Sequence, residues 1–175
     1  MFRSVDHALR FAFELEHIPI IAQVDTMVNT KAGGWRGLTT HDLHAQAALI
    51  RRRVDTFPAL ERDYLKAYFG YAVDRHQGVL AIAQWTILQQ PTGVHRRRAY
   101  IRMVEQFCGR GSVGGIEEIR CILKCRKSDA LAKRKGVWSC LDRLHERAIT
   151  LAVREFSAVG LVPAFEFDAA RGILG

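Results

Sequence analysis

Between Arg96 and Lys135 the chain carries twelve lysines and arginines against four carboxylates, Glu105, Glu117, Glu118 and Asp129. The formal net charge of the whole chain is +8, and this one block accounts for all of it. Guanidinium and ammonium groups concentrated in this way neutralise phosphates and release their counterions. They also reach the N7 and O6 acceptors of guanine in a major groove. A localised basic block, as opposed to a diffuse basic composition, is the electrostatic footprint of a polyanion binder.

Elements must place those cations. Ser4 caps a first helix that runs to about Glu16, with Val5, Leu9, Ala12 and Phe13 at helical spacing. Gly33, Gly34 and Gly37 mark a loop after it. Thr39 or Thr40 starts a second helix to about Val54, with Asp42 in its first turn. Pro58 sits in the first turn of a third helix ending near Phe69. Gly70 and Gly78 bracket a loop, and a fourth helix covers Val79 to Gln89. A fifth spans Arg96 to Phe107, and the glycines from Gly109 to Gly115 form a hinge. A sixth runs from Ile116 to about Lys124. The seventh is long, from Ser128 to about Ser157, with apolar positions at Leu131, Val137, Leu141, Leu144, Ala148, Leu151 and Phe156. Gly136 lies inside it and costs about 1 kcal/mol relative to Ala. The stretches Ile18 to Val24 and Val159 to Phe167 are the only strand candidates. The expected fold is all-α: a helical bundle with a C-terminal helix-turn-helix running into a long C-terminal helix. It divides into an N-terminal body (1–94), a basic region (95–160) and an irregular tail (161–175).

The sixth and seventh helices, joined by a tight turn near Lys124-Cys125-Arg126, have the length pattern of a helix-turn-helix. In that arrangement the first turn of the second helix faces base edges. Here it offers Arg126, Lys127 and Ser128. Lys133, Arg134 and Lys135 follow one to two turns later and suit phosphates, and Arg96, Arg97 and Arg98 extend the grip from the fifth helix. A glycine is usual in the turn of this motif, and Lys124-Cys125 stands in its place.

The segments Arg102 to Arg110, Ile116 to Leu123 and Lys127 to Ala148, with Cys140-Leu-Asp-Arg-Leu-His-Glu-Arg-Ala148, resemble phage and prophage helix-turn-helix regulators. They look most like late-gene antitermination proteins of the Q type. Leu38 to Arg53 resembles the N-terminal helix of such proteins. The resemblance covers about half of the chain. It implies a protein specific for a site in double-stranded DNA that also contacts bacterial RNA polymerase in the host cytoplasm, with its contact surface on the N-terminal body.

Other chemistry finds less footing. Cys121-x3-Cys125, with Cys108, Cys140 and His145, lacks the paired spacing of structural zinc sites, and Cys140 falls at an apolar helix position where a thiol packs as a small hydrophobe. His41-x2-His44 has no third ligand, so no metal or cofactor is expected. No nucleophile elbow or spaced carboxylate pair points to an enzyme. No apolar run approaches the roughly 18 residues of a membrane span, so the expected location is cytoplasmic with no membrane partner. The alternatives are an RNA-binding module, disfavoured by the lack of aromatic clusters, and a phage protein that inhibits a host protein through its basic block.

Overall fold

The computed structural model describes residues 2–15, 39–90, 96–109 and 115–163. Among them, seven α-helices and no strands are found: α1 (Val5–Glu14), α2 (Thr40–Asp55), α3 (Ala59–Phe69), α4 (Ala72–Leu88), α5 (Arg97–Phe107), α6 (Gly115–Leu123) and α7 (Lys127–Ala158). The all-α expectation holds. The first strand candidate, the 31–37 loop, the 110–114 part of the hinge, the boundary after residue 94 and the tail from residue 164 lie outside the described residues. The described part of the second strand candidate, residues 159–163, contains no strand.

The residues divide into two compact units, one formed by 1–57 with 149–175 and the other by 58–148. In the first, Ser4 caps α1 by accepting a hydrogen bond from the His7 amide at 3.2 Å. Val5, Ala8, Leu9, Ala12 and Phe13 form its buried stripe. Thr39 and Asp42 close a capping box at the start of α2, each side chain taking the other's amide. The Thr39 hydroxyl, donating to Asp42 at 2.7 Å, and then the Thr39 amide hold the Asp42 carboxyl below its usual range. Leu43, Ala47, Ile50 and Val54 are the buried row of α2. The chain returns to this unit at the end of α7. There the Arg53 guanidinium meets Glu155 at 3.0 Å, the rings of Phe57 and Phe156 lie 6.3 Å apart, and the Phe2 amide donates to the Leu161 carbonyl at 2.8 Å.

The second unit packs α3 on α4, α4 on α5 and α5 on α6. Here the sequence reading needs a correction: α4 begins at Ala72, so residues 72–78 are helical and Gly78 is inside the helix rather than at the edge of a loop. A Cβ at Gly78 would come within 2.5 Å of the Ala67 amide nitrogen and 2.6 Å of the Asp63 carbonyl oxygen. The glycine is there because two helix backbones nearly touch, a use that resembles a breaker when read from sequence alone. The first turn of α4 also lacks an apolar row to signal a helix.

The interior of this unit contains polar pairs. The Tyr64 hydroxyl hydrogen-bonds to Nδ1 of His145 at 2.9 Å, and burial pushes the Tyr64 phenol far above its ordinary value. Buried Glu61 accepts from the Arg147 guanidinium. Both interactions join α3 to α7, which contributes residues up to Ala148 to this unit. α7 continues through Gly136 without a break. Its buried positions here are Ala130, Val137, Cys140, Leu141, Leu144 and Ala148. Leu131, expected in the core, instead keeps 40% of its surface exposed; Ala130 takes the inward position, seven residues before Val137.

Candidate nucleic-acid interface

All the candidate cations that are described lie in the second unit, on α5, α6, α7 and the turn between the last two. α6 ends at Leu123 and α7 begins at Lys127, leaving Lys124, Cys125 and Arg126 as the turn. Lys124 occupies the left-handed region, with φ 53°. Its amide donates to the Cys121 carbonyl at 3.3 Å, and the Cys125 amide donates to the Arg120 carbonyl at 3.4 Å. These two bonds are the Schellman closure of a helix C-terminus, in which the left-handed residue is most often glycine. The chain closes the end of α7 with the same pair of bonds around Gly160, φ 70°. Lysine at position 124 therefore makes the turn that a glycine was expected to make. Arg126 then starts α7, its carbonyl accepting from the Ala130 amide at 3.1 Å.

Arg110 lies outside the described residues; the other eleven cations of the basic block separate by what they touch. Arg102 pairs with Glu105 at 2.8 Å and with Glu118 at 2.9 Å, and the Glu105 contact leads in holding its guanidinium above the ordinary value. Arg120 pairs with Glu117 at 2.7 Å, and Lys127 approaches the same carboxylate at 3.6 Å. Hydrogen bonding to Arg120 keeps Glu117 below the usual carboxylate range. Three of the four carboxylates in the block are thus used within it. Arg96, expected as a phosphate ligand, is exposed and also has an internal partner. Its Nη1 donates to the Ile122 carbonyl at 2.7 Å, so its head group satisfies an orphan acceptor at the end of α6 and ties the start of α5 to the turn.

Two more cations rest on rings. The Lys133 ammonium lies 5.7 Å from the centroid of Tyr100, and Arg134 lies 4.8 Å from that of Trp138. Trp138 is itself fixed by donating Nε1–H to the Met103 carbonyl at 3.2 Å. Cation–π contact of this kind orders a long side chain while leaving its charge able to meet an anion. Lys133 also lines a shallow depression with Leu123, Lys124, Cys125 and Asp129.

Arg97, Arg98, Lys124, Arg126 and Lys135 remain. All five are exposed, and among the described residues none of them has a carboxylate partner. Arg97 and Arg98 lie in the first turn of α5, which contains no acidic residue. That is the positive end of the helix dipole, where each cation costs about 0.3–1 kcal/mol. An arrangement unfavourable to the free protein becomes favourable when a polyanion occupies the surface. Ser128 is exposed at the start of α7, its hydroxyl 3.4 Å from Asp129.

The outward face of α7 also contains residues that the charge pattern did not single out. Ser128, Leu131, Ala132, Lys135 and Ser139 are all exposed and recur at three- and four-residue spacing, so they lie on neighbouring rows. Lys135, read from sequence as a phosphate ligand with Lys133 and Arg134, shares the row of Ser128. With Ala130 and Val137 inward, Ala132 falls on the opposite side of α7 and Leu131 beside it. Cys108 and Cys140 are buried, Cys121 is exposed and Cys125 half-buried, and none of the four is in a disulfide among the described residues. No protein-family model and no curated protein matches the chain.

Proposed function

We propose that the protein is a sequence-specific binder of double-stranded DNA that uses α6, the turn and the start of α7 as a helix-turn-helix. The observation that carries the reading is the turn itself. A three-residue connection with a left-handed lysine leads into α7, and Lys124, Arg126 and Lys135 along it are exposed with no carboxylate partner among the described residues. In this reading Lys127, Ser128 and Lys135 approach base edges. Arg126, Arg97, Arg98 and Lys124 meet phosphates, Lys133 and Arg134 supply charge from aromatic supports, and Arg96 holds the turn. Affinity comes from counterion release and specificity from the base-facing row.

The resemblance to Q-type antitermination proteins extends the proposal to a phage transcription regulator that acts on bacterial RNA polymerase in the cytoplasm. It supplies the partner and the role, and the turn supplies the DNA.

The test is selection from a randomised duplex pool at two salt concentrations, with sequencing of the bound fraction. An enriched motif and a steep salt dependence are expected. Salt-dependent binding with no motif would reduce the protein to a nonspecific binder. Preference for RNA loops over duplex would favour an RNA-binding module, and absence of nucleic-acid binding at moderate salt would overturn the proposal in favour of a protein partner.

A further inference from the structure

The middle of the proposed reading surface is apolar. Leu131 and Ala132 stand exposed one turn into α7, with Arg126 and Lys127 before them and Lys135 after them. Among the described residues of α5, α6 and α7, Leu131 is the one large hydrophobic side chain left this exposed. The flanking cations do not cover it: the Lys133 ammonium is over Tyr100, and the Arg134 guanidinium is over Trp138. A protein partner would be expected to meet a broader apolar patch with depleted charge at its centre. Two adjacent apolar side chains framed by cations instead match a surface that is polyanionic at its edges and has isolated methyl groups within. The major groove of duplex DNA is such a surface, and its apolar groups are the C5-methyls of thymine.

We infer that Leu131 and Ala132 read thymine methyl groups, so that the bound site has A·T pairs opposite the second turn of α7. This rests on the duplex-binding reading above. It goes beyond that reading by assigning discrimination to two uncharged residues and by naming the base they select. Ser128 and Lys135, on either side of them along the helix, would hydrogen-bond to neighbouring pairs, and the apolar contact would fix which pairs lie between.

The experiment uses the full chain and the duplex recovered by selection, with each thymine replaced in turn by deoxyuridine, which lacks only the methyl. Affinity should fall about 3- to 10-fold at one or two positions, the scale of one buried methyl contact. Leu131→Ala, and independently Leu131→Gln, should abolish the penalty at one of those positions. Ala132→Ser should abolish or reduce the other. Circular dichroism should show the folded helix content retained, since Leu131 and Ala132 are exposed. Uracil duplexes that bind as well as thymine ones at every position would overturn this inference while leaving duplex recognition intact, as would a penalty that persists in all three variants. If no duplex is bound at any salt concentration, the reading beneath it fails and this inference fails with it.

Discussion

Two helix pairs in the second unit are built on opposite principles. α3 and α4 are connected through Gly70 and Tyr71, and α6 and α7 through Lys124, Cys125 and Arg126. Each junction places one non-glycine residue in the left-handed region: Ala72, the first residue of α4, at φ 38°, and Lys124, in the second turn, at φ 53°. Such a residue costs about 1–2 kcal/mol, so both turns are held by something beyond themselves. In the first pair it is contact between backbones, with Gly78 filling the only space available, and with the buried Glu61 and Tyr64 of α3 satisfied by Arg147 and His145. In the second pair it is hydrogen bonding at the helix ends: the Schellman bonds at Lys124 and the Arg96 contact to Ile122. The first pair turns its polar groups inward. The second uses main-chain groups to make the turn and leaves Lys124, Arg126 and Lys135 facing out.

That contrast can be broken by separating stability from binding. Replacing Arg97, Arg98 and Arg126 together with alanine should lower duplex affinity on the order of 100-fold and reduce the slope of log affinity against log salt by about 3. The thermal midpoint should stay the same or rise slightly, because two of these cations oppose a helix dipole. Fluorescence anisotropy across a salt series and a thermal melt together check it, and a large loss of stability would show that the cations are structural. Gly78→Ala should do the reverse. It should cost about 1–3 kcal/mol of stability by overpacking, a drop in midpoint of about 2–12 °C at this chain length, with the affinity of the folded fraction unchanged.

Lys124→Gly sharpens the comparison, because it affects both quantities with opposite signs. Stability should rise by about 1 kcal/mol as the left-handed position is relieved, while the salt slope falls by about 1 with the lost charge. A destabilised variant would mean that the lysine side chain holds the turn. The smallest effect is expected at Gly136. An added methyl there would lie 3.6 Å from the Gln90 side chain, an ordinary contact. Gly136→Ala should therefore raise stability by about 0.5–1 kcal/mol, read from the denaturant midpoint, and leave affinity unaltered.

How much of this was legible in the sequence follows from how local each cause is. Helix starts at Ser4 and Thr39 were readable because a cap and the amides it satisfies lie within three residues of each other. The start of α4 was not, since the reason for Gly78 is on another helix. The basic block was visible as a count, but the division of labour within it was not. Arg102 meeting Glu118 and Arg96 meeting the Ile122 carbonyl join elements that are separated along the chain. Lys124 was readable only as a missing glycine. Leu131 is one of the apolar positions of α7 in the sequence, yet Ala130 takes the inward place beside it and Leu131 stands exposed.

The first unit is discontinuous, and that sets a schedule. Phe2, Arg53 and Phe57 find their partners at Leu161, Glu155 and Phe156, some hundred or more residues later in the chain. Because a ribosome releases the chain from its N-terminus at a few residues per second, the residues made first wait longest for these contacts. Those of the second unit, 58–148, emerge as one uninterrupted stretch. The whole of 58–148 is thus present in the growing chain before α1 and α2 can meet the last turns of α7. Over that interval Phe2, Arg53 and Phe57 are without the partners that the end of α7 brings them.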